Sequence, residues 1–214
     1  YIEVKNGAGV SKKLATVIDE DGIERVVGVD MPMELAASMG LMDGYSTIDK
    51  FGENPDIDTG TDPEDIWEGE GLYEYDADGT APILYLSSSD NGDDQDIEIS
   101  GLDIDGEEVE QTITLTGQAN ANLTTALWRV YRMENVGTTD LEGVVYCHTD
   151  PTPTVGVPAG VAQRALIVNG NNQTLMAIYT IPKGKVGFLY RGEFSMSRAQ
   201  TSGEAQCAYY SRRF

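Results

Sequence analysis

The chain has 214 residues, with 36 acidic against 14 basic side chains and a formal net charge of −22. That length can bury a sizeable core without covalent staples. The charge argues against nucleic acid and anionic membrane surfaces as partners, because both require clustered cations. The excess is uneven: residues 1–118 hold 30 acids and 5 bases, whereas residues 119–214 hold 6 and 9.

Along the chain the pattern favours strands. Thr16-Val17-Ile18 and the run Ile23 to Val29 flank Asp19-Glu20-Asp21-Gly22, a hairpin signal in which glycine accepts positive φ. Pro32 to Met39 is the one good helical stretch, with proline suited to its first turn and Gly40 to its end. Residues 45–80 are rich in Asp and Glu, poor in aliphatics, and carry Tyr45, Phe51, Trp67, Tyr73 and Tyr75. An acidic tract without rings reads as disordered. Here the rings point to an extended segment pinned by aromatics, or to an arm that orders on a partner.

Ile83 to Leu86 reads as a strand, and Asp96 to Thr116 as a hairpin turning at Asp105-Gly106 with one polar face. Further strands are expected at Leu127–Met133, with Trp128 and Val130 inward, at Val144–Tyr146, and at Ala165–Val168. Leu175–Ile181, Val186–Met196 and Ala205–Arg212 read as the last strands, and the proline-bearing stretch Asp150–Gly160 as loop. Short strands with turn signals between them specify a mainly β fold: an antiparallel β-sandwich or jelly-roll-like barrel with long loops and one short helix. Two parts are expected, an arm or small β lobe at 1–44 and a β-sandwich domain at 45–214. No run is long enough to span a bilayer, and Tyr1-Ile2-Glu3-Val4-Lys5 opens without the apolar stretch of a secretory leader.

The inventory for catalysis is thin. His148 is the single histidine, beside Cys147; neighbours on a strand point to opposite faces, so the pair does not readily share a proton. A strand-end histidine bonded to backbone or water is the plainer reading. Carboxylates are too numerous for any pair to mark a glycosidase. Asp90, Asp93, Asp94 and Asp96 are the calcium candidates, although their spacing departs from the EF-hand loop. No zinc ligand set and no nucleotide motif occurs, and no cofactor is expected. Cys147 and Cys207 form no CxxC pair and read as two free, buried thiols, with a single disulfide left open.

From Ile48 onward the sequence is less generic. Ile48-Asp49-Lys50-Phe51-Gly52, Asn54-Pro55-Asp56-Ile57-Asp58-Thr59, then Glu64-Asp65-Ile66-Trp67 and Gly69, Gly71 and Tyr73 resemble a segment of tailed-bacteriophage virion proteins of the capsid decoration or cement type. Similar stretches follow at Gly101–Gly106, Gln111–Gly117, Arg129–Met133, Asn172–Gly184 and Tyr190-Arg191. The first 44 residues fall outside it. The resemblance implies a non-enzymatic particle component on the outer surface of a capsid, in contact with the major capsid protein and with itself, as a homotrimer. Phe51, Asn54, Pro55, Ile57, Trp67 and Tyr73 are then the interface candidates. Other virion parts (a head fibre base, neck or tail protein) remain open on the same residues. So does a carbohydrate-binding module built on Trp67, Tyr73, Tyr75 and Trp128. If the acidic segment docks on a shell, it should be protease-sensitive in the free protein.

Overall fold

The computed structural model describes residues 2–5, 11–14, 16–18, 24–26, 32–57, 62–69, 71–196 and 207–208. The chain divides into two compact units, residues 1–48 and 49–214.

The first unit holds two antiparallel hairpins, β1 (Ile2–Lys5) with β2 (Ser11–Leu14) and β3 (Thr16–Ile18) with β4 (Glu24–Val26). The second is the hairpin expected around Asp21-Gly22. Helix α1 (Met33–Ser38) follows. It is closed by Gly40 N–H on the Ala37 carbonyl and Leu41 N–H on the Ala36 carbonyl, the paired bonds that satisfy the last orphan carbonyls of a helix.

The second unit is built on two antiparallel sheets. One has the order β11 (Gln163–Ile167), β10 (Val145–His148), β5 (Ile83–Ser88), β8 (Ala121–Leu127). The other has the order β7 (Glu108–Thr114), β6 (Asp96–Leu102), β9 (Arg129–Asn135). Alternation dictates the faces. In β6, Ile97 and Ile99 are fully buried between half-exposed Glu98 and Ser100; in β7, Glu108, Glu110, Thr112 and Thr114 face water around buried Ile113. Ile83, Leu86 and Val145 of the first sheet share one hydrophobic core with Ile97, Ile99 and Met133 of the second. The result is a β-sandwich. The barrel alternative does not hold, since the described strands form two open sheets rather than one closed one.

At one corner the sheets are tied by a side chain in place of a ladder rung: Gln111 donates from Nε2 to the Thr125 carbonyl and accepts the Thr125 N–H on Oε1, both at 2.9 Å. Strand β8, of sequence Ala-Asn-Leu-Thr-Thr-Ala-Leu, was not legible as a strand because its buried positions are small or isolated. Trp128 and Val130 do point inward, at 7% and 1% exposure, with Trp128 in the bend where β8 passes into β9.

Three expectations change. Leu175–Ile181 forms no strand. It lies against the acidic segment, with Glu53 N–H on the Leu175 carbonyl, Leu175 N–H on the Glu68 carboxylate and Ala177 N–H on the Ile66 carbonyl. Its backbone groups are thus satisfied by loop partners rather than by a ladder. Val186–Met196 is extended but enters no strand. Both cysteines are free, yet Cys207 is exposed, not buried. The expected strand Ala205–Arg212 lies outside the described residues apart from Cys207 and Ala208. No described helix is long and apolar enough to cross a membrane.

Candidate functional site

The acidic segment is the place where sequence and structure meet most closely. Its described residues, 49–57, 62–69 and 71–82, form a strap over the sandwich, held at successive points. Lys50 Nζ donates to the Tyr131 carbonyl. Burial, helped by the Arg132 charge, pushes the Lys50 ammonium down to about 8. Gly52 permits the closest approach: a Cβ there would lie 2.3 Å from the Ala177 nitrogen. Asn54 Nδ2 donates to Glu64 Oε2 and to the Asp65 carbonyl, and its Oδ1 accepts the Asp56 N–H. Asp65 Oδ2 accepts the Tyr73 N–H at 2.9 Å. The buried Glu68 carboxylate accepts Asn171 Nδ2 at 2.7 Å and Leu175 N–H at 3.0 Å. Burial raises its pKa, and those two bonds act against the rise.

The strap ends in an aromatic and ionic clamp. Trp67 and Tyr73 meet edge-on at 5.1 Å, and Tyr73 and Tyr75 at 4.8 Å. Asp76 takes two bonds from the Arg164 guanidinium, 2.8 Å from Nε and 2.7 Å from Nη2, and both side chains are about nine-tenths buried. Burial opposes the charge on Arg164; the Asp76 bonds outweigh it and raise the guanidinium pKa. Arg129 stacks over the Trp128 ring at 4.1 Å and donates to the Asp76 carbonyl.

This arrangement sorts the interface candidates. Trp67 and Tyr73 are each 4% exposed and belong to the core of their own unit, so they offer no surface to a partner. Asn54 is half-buried and occupied within the strap. Phe51 at 50% and Ile57 at 53%, with exposed Pro55 between them, point outward. Of the four rings considered for carbohydrate stacking, Trp67, Tyr73 and Trp128 are buried and Tyr75 is half-buried.

The calcium candidates do not converge. Asp93 is 1% exposed, and its carboxylate accepts Glu142 N–H at 2.8 Å, Gly143 N–H at 3.0 Å and Ser88 Oγ–H. It is a structural acceptor for a buried loop, turned away from solvent. Asp90 accepts its neighbour Gly92 N–H, Asp96 accepts the Thr114 hydroxyl, and Asp94 is exposed. Among the described residues no three His, Cys, Asp or Glu side chains group as a metal site.

His148 sits in a network that sequence reading could not supply. Its Nδ1 accepts the Asp150 N–H at 3.2 Å, which places the ring proton on Nε2. Nε2 then donates to Ser87 Oγ at 2.9 Å, and Ser87 donates onward to the Gly156 carbonyl at 2.8 Å. A serine nucleophile needs the opposite polarity, with imidazole accepting the hydroxyl proton. Burial pushes His148 down to about 4, so the ring is neutral. Cys147 joins the hydrophobic core, and burial raises its thiol to about 12, far from a reactive thiolate. The cleft beside Asp140 and Asn169–Asn172 is also internally bonded: Asn169 Nδ2 donates to the Glu142 carbonyl, and Asn171 holds Glu68.

Comparison with protein-family models, curated proteins and solved structures returned no match.

Proposed function

We propose that this protein is a non-enzymatic structural component of a virion, decorating or cementing the outer face of a bacteriophage capsid. The observation that carries the reading is the strap. Asn54, Asp65, Trp67 and Tyr73, which bear the resemblance to virion proteins, hold that segment against its own sandwich. Their bonds and ring contacts fix the segment in which Phe51, Pro55 and Ile57 are each exposed. A rigid β core presenting ordered loops suits contact with a repeated shell surface. The net charge of −22 favours the outside of a head over contact with packaged DNA.

The major capsid protein is the expected partner. In purified particles the copy number should approach that of the capsid protein. A ring-like handful of copies would move the protein to the neck, tail or a fibre base, and absence from particles would end the virion reading. With shells stripped of the protein, rebinding should be lost for Phe51→Ser combined with Ile57→Ser while the melting temperature stays unchanged.

A further inference from the structure

In the proline-bearing loop after β10, Val155 is the only residue other than glycine with a positive φ among the described residues, at +54°. A β-branched side chain adopts that left-handed conformation only under constraint. Val155 is 62% exposed, so packing of its own side chain does not supply the constraint. It comes from beneath. Thr154 and Val157 exchange backbone bonds at 3.0 Å around the turn. Gly156 lies so close to β5 that a Cβ there would be 1.8 Å from the Ser88 carbonyl oxygen. The Gly156 carbonyl accepts the Ser87 hydroxyl, which in turn accepts His148 Nε2–H. On the other side of the same ring, Nδ1 accepts the Asp150 N–H where the loop begins. One fully buried imidazole thus ties both the base and the apex of the loop to the first sheet.

We propose that His148 is the catch of an acid-released latch: protonation of its ring frees residues 150–160 from the first sheet while the sandwich stays folded. An imidazolium carries N–H on both nitrogens. Nδ1 then turns a donor toward the Asp150 N–H, itself a donor, and the bond at the base of the loop is lost. Release also relaxes the backbone strain at Val155. The response is local because the core cluster contains neither His148 nor any residue of 150–160. Around the ring stand Tyr85 and Ser87 of β5, its strand neighbour Cys147, Gln163 of β11 and Asp150 of the loop. Arg164 of β11 is paired with Asp76. Burial holds the ring at about 4 in the closed loop against an ordinary 6.5, with the Asp150 charge acting the other way. The latch is therefore shut above about 6.5 and gives way as pH falls toward 4. Hydrogen bonds from Thr152 and Ala159 hold the Asp150 carboxyl below its ordinary value, so it keeps its charge over that range.

Amide hydrogen exchange of the full chain, corrected for its intrinsic pH dependence, reads the latch directly. Between pH 7 and pH 4.5 residues 149–160 should exchange about fifty-fold faster, while β6 and β9 remain protected. His148→Gln, whose amide accepts from Asp150 and donates to Ser87 without titrating, should hold the loop shut at both pH values. Asp150→Asn should keep the acid response. A response that spreads equally through β6 would overturn the proposal, as would one that survives in His148→Gln or vanishes in Asp150→Asn. His148 is the single histidine, so its ring resonances can be followed without ambiguity in the unmodified chain. Their titration midpoint should coincide with the shift of the Gly156 amide resonance. A ring that takes up its proton while the Gly156 amide stays in place would refute the latch.

Discussion

At the scale of residues, His148 shows how burial converts a reactive group into a structural one. With an ordinary value of 6.5 and a folded value of about 4, the ring binds a proton more readily in the unfolded chain. Stability is therefore full above about 6.5 and falls as pH drops toward 4, where the unfolded state takes up the proton and the folded state does not. The loss amounts to about 3 kcal/mol when complete. Denaturant titrations at pH 7 and pH 4.5 should show it, and the difference should shrink in His148→Gln; an equal difference in both proteins would place the pH dependence elsewhere. Asp93 makes the same point with a carboxylate. Its oxygens close two backbone donors and a hydroxyl in a loop that would otherwise bury them unsatisfied.

At the scale of elements, the strap depends on a buried ion pair. Removing one partner of such a pair leaves an uncompensated charge, at a cost of about 3–5 kcal/mol. Arg164→Met should therefore destabilise the protein by that order. It should also open the segment between Glu64 and Asp76 to protease, since its C-terminal anchor is gone. In the unmodified free protein the same segment should resist cleavage, because Trp67, Tyr73 and Asp76 already bury against the sandwich. This differs from the expectation that a segment which docks on a shell is protease-sensitive in the free protein. Pairing Arg164→Met with Asp76→Leu should recover much of the loss, because no charge is then left unpaired.

At the scale of the whole molecule, every member of the second unit's core cluster lies between Trp67 and Ile178. Deleting residues 1–48 removes none of them. A chain of residues 49–214 should thus unfold in one cooperative transition, with the near-ultraviolet dichroism of its buried Trp67 and Trp128 retained. A broad transition lacking that signal would show that the sandwich depends on the first unit.

The sequence by itself determined the mainly β class, because period-two alternation and Asp-Gly turns are local properties of the chain. The hairpins at Thr16–Val26 and Asp96–Thr114 and the helix near Met33 follow from them. It also localised the acidity and singled out the aromatic-bearing segment. Only the tertiary structure decided which of those aromatics face inward. Trp67 and Phe51 are both large and apolar in the same tract, and nothing in their spacing says that one meets Tyr73 and Met176 while the other meets water. Nor could spacing pair Asp76 with Arg164 or His148 with Ser87, contacts that span 88 and 61 residues. Alternating runs such as Val186–Met196 satisfy a strand pattern, yet a strand exists only where a second chain segment supplies its hydrogen bonds. That run is extended and belongs to no strand ladder among the described residues.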